Sequence, residues 1–235
     1  MTIKILPSAI VAEAAAQALN ASFAERQGKE FLFLSSGGSS LTLLEYLDPQ
    51  YFGAQSTISV LDERYSEDPS VSTMAQLEQT AFYRMVREAG AHFIDTKVQP
   101  GESIASLASR FEEALRAWVE RTEGVIIASV GVGPDAHTSG IMPYPEDPCY
   151  FDTLFNDAAH WVAAYDAHDK NPHRLRVTTT LPFLRRIDSA IIFIVGENKR
   201  PALEKLLSDA GTHRESPCRI WREVAGAKVY TDQKL

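Results

Sequence analysis

Cysteine is scarce in this chain, which has only two cysteines, Cys149 and Cys218, among its 235 residues. Two thiols are too few for the disulfide framework of a small secreted protein, and their separation does not match the paired spacing of metal ligands. We therefore interpret both as incidental thiols and expect no bound metal. A reducing compartment, the cytoplasm, is the predicted location.

Long apolar runs are also missing from the sequence. No stretch approaches the roughly 20 apolar residues that cross a bilayer. The alanine-rich segment after Pro7 has the composition of a signal-peptide core, but Glu13 interrupts it and no basic segment or cleavage pattern accompanies it. The sequence therefore predicts no membrane partner.

Positive charge is in deficit. The chain has 23 Lys and Arg against 31 Asp and Glu, a formal net charge of −8 at pH 7. Such a chain has no general positive field for a polyanion, so we expect no nucleic-acid partner and expect any phosphate to meet local cations. With 45% hydrophobic residues, we predict one folded domain over residues 1–235. Both a monomer and a homodimer remain open.

The sequence does contain a repeated order of apolar runs and helical patterns. Four runs are short and almost continuously apolar, which is typical of strands covered on both faces: residues 30–35, 57–61, 124–130 and 189–195. Apolar positions at helical spacing lie between them, in residues 41–47, 74–89 and 104–118. This order predicts an α/β fold, a doubly wound, mostly parallel Rossmann-like sheet with helices on both faces.

Three local expectations complete the predicted fold. Residues 2–6 are predicted to form a further short strand, and Ser8 is predicted to cap the helix that follows it. Residues 142–148, rich in proline and acidic residues, are predicted to form an exposed excursion.

A polar cluster follows each of the four apolar runs. The clusters occupy residues 36–40, 62–64, 131–138 and 196–199. In open parallel sheets, ligands bind outside the carboxyl ends of the strands. The four clusters are therefore expected to line one cleft at that edge of the sheet.

The first cluster reads Ser36-Gly37-Gly38-Ser39-Ser40. Glycines let the backbone approach an anion, and N–H groups at the start of the next helix point at it, which predicts a cradle for a phosphate or a sugar. A tight glycine turn with a serine helix cap explains the pattern equally well. The pattern is neither a Walker loop nor a GxGxxG fingerprint, so it gives little support to nucleotide binding.

The second cluster, Asp62-Glu63-Arg64, ends a predicted strand. The period of two places Asp62 and Arg64 on one side of the strand and Glu63 on the other. Asp62 and Arg64 are therefore candidates for one site. For the motif taken alone, a surface ion pair at a strand end is the simpler interpretation.

The third cluster contains a histidine among small residues at a strand end, where neither packing nor a helix face explains it. His137 is our candidate general base, and Asp135 is near enough in sequence to fix the imidazole tautomer and raise its basicity. A hydrogen-bonded loop histidine is the structural alternative. The other five histidines are interpreted as solvated or structural: His92, His160, His168, His173 and His213.

Two further cations are candidates for an anion site. Residues 174–180 alternate as a strand does and place Arg176 on one side with Thr178 and Thr180, offering a guanidinium and two hydroxyls to a ligand. Lys199 opens a helix, where a cation is unfavourable next to the helix dipole unless an anion is bound. An ordinary exposed lysine is the alternative for Lys199.

Taken in order, these motifs resemble those of the 6-phosphogluconolactonase family, within the group that includes glucosamine-6-phosphate deaminase. Ser36-Gly-Gly-Ser is similar to the family's Ser-Gly-Gly-Ser loop and Asp62-Glu-Arg to its Asp-Glu-Arg. Residues 131–138, Gly-Val-Gly-Pro-Asp-Ala-His-Thr, resemble its Gly-x-Gly-x-Asp-Gly-His-Thr. Residues 176–180 match its Arg-x-Thr-x-Thr strand, and residues 196–199 its Gly-x-x-Lys turn.

The resemblance implies hydrolysis of 6-phosphoglucono-1,5-lactone to 6-phosphogluconate in the oxidative pentose phosphate pathway, without a cofactor. It implies that His137 activates water and that Asp135 orients His137. Binding of the phosphate or lactone oxygens is implied for residues carried over from the family motifs: Gly37, Gly38, Ser39, Arg64, Arg176 and Lys199. Asp62 is expected to support Arg64 or a sugar hydroxyl.

Departures from the family pattern keep two alternatives open. The deaminases carry Tyr where this chain has Arg64, and Glu-Pro where it has Met142-Pro143, which favours the lactonase over a deaminase-like isomerase. Ala136 replaces the usual glycine of the histidine loop and is expected to strain or move that loop if φ is positive there. Ser40-Leu41 replaces Thr-Pro, and residues 72–74, Ser-Thr-Met, replace Ser-Asn-Tyr. The second alternative is therefore a sugar-phosphate binding protein without catalysis.

Overall fold

The computed structural model describes residues 1–26 and 28–234, and its centre is a parallel sheet of seven strands. Its strands are β1 (Thr2–Ile5), β2 (Phe31–Ser35), β3 (Ser56–Val60), β5 (His92–Phe93), β6 (Val125–Gly131), β9 (Ser189–Ile194) and β10 (Gly226–Thr231). They lie in the order β1-β10-β9-β6-β2-β3-β5, and every neighbouring pair is parallel.

Helices cover both faces of this sheet. Side chains of β2 alternate between two hydrophobic clusters: Phe31 and Phe33 pack in one, and Leu32 and Leu34 in the other. The first cluster includes residues of α1 (Ser8–Ala24), α2 (Thr73–Glu78) and α3 (Ala81–Glu88). The second includes residues of α4 (Ile104–Arg121), α5 (Pro148–Phe155), α6 (Leu181–Leu184) and α7 (Arg200–Leu207). The predicted α/β class, with a mainly parallel sheet and helices on both faces, is confirmed.

A second, antiparallel sheet of three strands stands beside the parallel one. It consists of β4 (Asp62–Arg64), β8 (Leu175–Thr179) and β7 (Val162–Asp166), in the order β4-β8-β7. The expectation that the site residues lie at the edge of one mostly parallel sheet is therefore wrong in part, because Arg176 lies on β8 and Asp62–Arg64 form β4, both in the small sheet. Only one residue, Leu61, separates β3 from β4, so the chain passes directly from the large sheet into the small one.

Several local predictions need correction. Ser8 does not cap α1: the helix begins at Ser8 itself, after Pro7, without a side-chain cap. Residues 41–47 lie mostly within a 3₁₀ helix, Gly38–Tyr46. Residues 74–89 form two helices, because Thr80 accepts a hydrogen bond from Tyr83 N and starts α3.

The segment 142–148 is exposed only in part. Met142 and Tyr144 are buried, whereas residues 145–148 are exposed. The apolar side chains in this segment pack into the core. The proline and acidic residues around them led us to expect an exposed segment instead. None of the described helices is long and apolar enough to span a membrane.

Candidate active site

A cavity of about 210 Å³ lies where the two sheets meet, at the carboxyl ends of β2, β6 and β9. Eight of the nine residues that the family resemblance assigns to the site line it: Gly37, Gly38, Ser39, Asp62, Arg64, His137, Arg176 and Lys199. The exception, Asp135, contacts His137 from outside the cavity lining. The structure thus brings the predicted residues together, while their individual roles remain predictions.

The glycine loop forms one wall of the cavity. Gly38 has φ +64°, in the left-handed region that favours glycine, and begins the 3₁₀ helix Gly38–Tyr46. Thr73, from the start of α2, packs against Gly37, where an added Cβ would lie 3.1 Å from Thr73 Cγ2. The side chain of Ser36 is buried at the same wall, and its Oγ has no hydrogen-bond partner among the described residues. The loop therefore presents backbone and an unpaired hydroxyl to the cavity.

The antiparallel pairing of β4 with β8 builds a second wall from charged side chains. Arg64 lies directly across from Arg176 in the register, and Arg176 forms a buried ion pair with Asp62. The interpretation of the Asp-Glu-Arg motif as a surface ion pair is therefore wrong, because its Asp lies in a buried pair with a residue of another strand. Burial, followed by the like charge of Arg176, lowers the pKa of Arg64.

The two guanidiniums of this wall are incompletely paired. Arg64 Nη1 donates to Val71 O at 3.2 Å, but Nε of Arg64 and Nε of Arg176 are buried without an acceptor in the part of the chain that the structure describes. Buried N–H groups are almost always hydrogen-bonded in proteins. The wall can therefore receive acceptor oxygens of a ligand.

Glu63 holds this wall in place through buried hydrogen bonds. The sequence analysis did not select it as a site residue. Its side chain is fully buried and accepts hydrogen bonds from the backbone N–H groups of Arg64 (2.8 Å), Thr73 (2.5 Å) and Met74 (3.0 Å). The hydroxyls of Ser72 and Thr96 also lie within hydrogen-bond distance. Burial raises the pKa of Glu63, and these hydrogen bonds oppose that effect. The alternation that sends Glu63 away from Asp62 already indicated a buried carboxylate in need of donors.

His137 and Asp135 form the pair that the sequence predicted. His137 Nδ1 lies 2.5 Å from Asp135 Oδ1, which also accepts a hydrogen bond from the His137 backbone N–H at 3.2 Å. Burial alone raises the pKa of Asp135, but the hydrogen bond and charge of His137 outweigh it and leave the pKa below its ordinary value. An ionised Asp135 favours the tautomer that carries its proton on Nδ1, and Nε2 then has a lone pair.

The backbone around His137 is unusual in two places. Gly133 lies under the imidazole: an added Cβ would be 2.1 Å from His137 Cε1 and Nδ1, so any other residue displaces the ring. Ala136 has φ +74°, the left-handed conformation in which alanine is strained. The expected strain at Ala136 is therefore present, and the loop is held in place by hydrogen bonds from Cys218 N to Ala136 O and from Trp221 Nε1 to Thr138 Oγ1.

Lys199 closes the cavity next to the glycine loop. It ends a short 3₁₀ helix, Glu197–Lys199, directly before α7, and its Nζ donates to Ser39 Oγ at 3.3 Å. Burial lowers the pKa of Lys199. Among the described residues no carboxylate forms a salt bridge with it. Lys199 is thus partly buried and has no carboxylate partner among the described residues, and its partial burial argues against an ordinary exposed lysine.

Two hydroxyls expected at the ligand are used elsewhere. Thr178 Oγ1 accepts a hydrogen bond from Gly140 N at 2.9 Å, and Thr180 Oγ1 donates to His160 O at 2.7 Å. The prediction that both serve a ligand together with Arg176 is therefore wrong. Their side chains instead join the small sheet to its neighbouring loops.

The remaining histidines differ in their surroundings. His213 lies 2.9 Å from Glu223, away from the cavity residues. Burial, followed by the charges of Arg64 and Arg176, lowers the pKa of His173. Within the described ranges no three His, Cys, Asp or Glu side chains gather as metal ligands would.

Comparisons with known proteins agree with this architecture. A family model described as glucosamine-6-phosphate isomerases/6-phosphogluconolactonase matches residues 7–230. A 6-phosphogluconolactonase of Nostoc sp. is 26% identical over 202 residues, covering 83% of this chain and 79% of the relative. A 6-phosphogluconolactonase of Mycobacterium tuberculosis is 26% identical over 232 residues, covering 89% of this chain and 87% of the relative.

Solved structures share the fold. A 6-phosphogluconolactonase from Plasmodium vivax superposes with a TM-score of 0.76 at 16% identity, covering 98% of this chain and 90% of that one. One from Leishmania guyanensis gives a TM-score of 0.75 at 20% identity, with 98% and 95% coverage. Because the family model spans almost all of the sequence, the chain belongs to the glucosamine-6-phosphate isomerase/6-phosphogluconolactonase family.

Proposed function

We propose that this chain hydrolyses 6-phospho-D-glucono-1,5-lactone to 6-phosphogluconate, the conversion that belongs to the oxidative pentose phosphate pathway. The observation that carries the proposal is the His137–Asp135 pair facing a cavity whose other walls hold Arg64, Arg176 and Lys199. A proton acceptor for water thus shares one cavity with cations for a phosphorylated substrate.

The first step uses His137. Its Nε2 accepts a proton from water while the water oxygen bonds to the lactone carbonyl carbon, and the carbonyl oxygen becomes negatively charged. Asp135 stabilises the imidazolium and holds its orientation. Arg64 and backbone N–H groups of the glycine-bearing loops are the proposed donors to the oxyanion.

The second step restores the histidine. The carbonyl re-forms, the bond from that carbon to the ring oxygen breaks, and the imidazolium returns its proton to the departing ring oxygen. The product is the open-chain carboxylic acid with a new hydroxyl group, and the acid releases its proton to solvent to give the carboxylate. Arg176, Lys199 and Ser39 are assigned to the phosphate, with Gly37 and Gly38 supplying backbone at the same wall, and Asp62 keeps Arg176 in place through their ion pair.

Two other activities are weaker candidates. A deaminase-like isomerase is disfavoured because Met142 is fully buried where the deaminases carry a glutamate after the histidine. A binding protein without catalysis has no need of the His137–Asp135 pair, which phosphate binding alone does not use.

Two parallel activity assays and one binding measurement separate the three candidates. Lactone hydrolysis is followed against the uncatalysed background, and glucosamine-6-phosphate is offered in parallel with detection of released ammonia. We expect hydrolysis well above background and no ammonia. Ammonia release would favour the isomerase, and a rate equal to background together with tight 6-phosphogluconate binding would favour the binding protein.

A further inference from the structure

Ser139 places a buried, unpaired hydroxyl on the cavity wall, and no role assigned above involves it. The residue is 7% exposed and lines the cavity. Its Oγ has no hydrogen-bond partner among residues 1–26 and 28–234. A buried hydroxyl without a partner is unfavourable, and this one therefore indicates a partner supplied by a ligand.

The backbone on both sides of Ser139 is fixed by hydrogen bonds. On one side, Thr138 Oγ1 accepts from the buried indole of Trp221 at 2.8 Å. On the other, Gly140 N donates to Thr178 Oγ1 at 2.9 Å, and Gly140 O accepts from the hydroxyl of Tyr165. Ser139 itself has φ +51°, an uncommon conformation for a serine. The neighbours of Ser139 are thus fixed, while its own hydroxyl has no partner in the part of the chain that the structure describes.

The position of Ser139 relative to the reactive groups indicates which group of the ligand it contacts. It follows His137 by two residues, and the adjacent Gly140 packs against Asp62, where an added Cβ would lie 3.2 Å from Asp62 Cβ. Two cations, Arg176 and Lys199, are assigned to the phosphate, so the neutral hydroxyl of Ser139 is not needed there. A serine hydroxyl both donates and accepts, which suits a neutral sugar hydroxyl.

We propose that Ser139 Oγ hydrogen-bonds to a ring hydroxyl of the bound lactone and so contributes to selection of the sugar. This inference rests on the proposed lactone hydrolysis. Sites that hydrogen-bond a substrate hydroxyl discriminate against analogues that lack it, because the protein group is then left unpaired. Ser139 is therefore a specificity-determining residue rather than a participant in proton transfer.

The test is Ser139→Ala. We expect the KM for the lactone and the Kd for 6-phosphogluconate to rise by about 3- to 10-fold, the range of one neutral hydrogen bond, with a smaller change in kcat. The melting temperature should stay the same or rise, since the variant removes an unpaired buried hydroxyl. For one of the 2-, 3- and 4-deoxy lactones, wild type and variant should have equal KM values.

Ser56→Ala is the matched control. Ser56 is also fully buried, but its hydroxyl donates to Gly53 O at 2.7 Å and accepts from Gly53 N at 3.1 Å, at the start of β3. This variant should lower the melting temperature and leave KM unchanged.

Two results would overturn the role of Ser139 while leaving lactone hydrolysis intact: unchanged KM and Kd in an active Ser139→Ala protein, or the same penalty with all three deoxy lactones. If wild type fails to hydrolyse the lactone, the proposed function fails instead, and the product-binding measurement still decides whether Ser139 contacts the sugar.

Discussion

Besides the glycine loop, the cavity has two walls that are built in different ways. The histidine wall, residues 131–139, is irregular backbone with two non-glycine residues at positive φ, Ala136 and Ser139. The cation wall, made of Asp62, Arg64 and Arg176, lies on two paired strands. One wall depends on strained loop geometry, and the other on regular strand pairing with a buried ion pair.

The difference matches the work that we assign to each wall. Proton transfer needs one nitrogen at one distance and orientation, and strained backbone held by surrounding contacts can fix such a position. Phosphate and lactone oxygens accept hydrogen bonds over broad directions, so charge and unpaired N–H groups matter more than a special backbone. Changes that move His137 should therefore affect kcat, and changes to Arg176 and Lys199, which are assigned to the phosphate, should affect binding.

Gly133→Ala tests the histidine wall with the largest expected effect. The new Cβ would occupy a position 2.1 Å from the His137 ring, and the imidazole must move. We expect kcat to fall by about 10²- to 10⁴-fold, as for loss of a positioned general base. Initial rates of lactone hydrolysis measure this effect. Calorimetric binding of 6-phosphogluconate should change much less, and a kcat equal to that of wild type would show that the ring position is not critical.

Lys199→Ala tests a residue that we assign to the phosphate. Removing the charge should raise KM about tenfold or more with little change in kcat, the pattern of an interaction made equally in ground and transition states. Lys4→Ala, at an exposed lysine of β1 outside the cavity lining, is the charge-matched control. Equal losses in kcat and kcat/KM with unchanged KM would instead assign Lys199 to the transition state.

The pH dependence of product binding tests whether the charge of Lys199 holds the ligand. Because the pKa of Lys199 is lowered by burial, its ammonium is lost at a pH below the 10.5 of an ordinary lysine. The Kd for 6-phosphogluconate should therefore rise as pH increases through that lowered value. Lys199→Arg, which stays charged, should lack this alkaline rise. A rise of the same size in both proteins would assign it to another group.

Ala136→Gly gives the smallest expected effect. Glycine relieves the left-handed strain at φ +74° but adds entropy to the unfolded chain, so we expect stability to increase by up to about 1 kcal/mol. Urea unfolding measures the change. A loss of stability would mean that packing of the fully buried Ala136 methyl outweighs the strain.

The sequence predicted the parallel sheet well because β2 carries its own signal: Phe-Leu-Phe-Leu-Ser is apolar on both faces, and all five residues are buried. The antiparallel sheet that contains Arg176 also has a signal in the sequence. Residues 174–180 alternate, whereas the strands β2, β6 and β9 of the large sheet are almost continuously apolar, and alternation is typical of antiparallel sheets.

Other features depend on residues that are distant in sequence. The partners of Glu63 come from residues 72–74 and 96, and those of the histidine loop from residues 218 and 221. Periodicity does not connect such segments. The unpaired hydroxyl of Ser139 could be identified only after every neighbouring donor and acceptor had been placed.

The most direct test of the division between the walls is His137→Ala, assayed for lactone hydrolysis and for 6-phosphogluconate binding in the same preparation, with Asp135→Asn beside it. We predict a fall in hydrolysis of about 10²- to 10⁴-fold with a product Kd within about twofold of wild type, and a smaller or comparable loss for Asp135→Asn. Wild-type activity should also fall at acidic pH as the imidazole is protonated. A His137→Ala protein that hydrolyses the lactone at the wild-type rate would contradict the account.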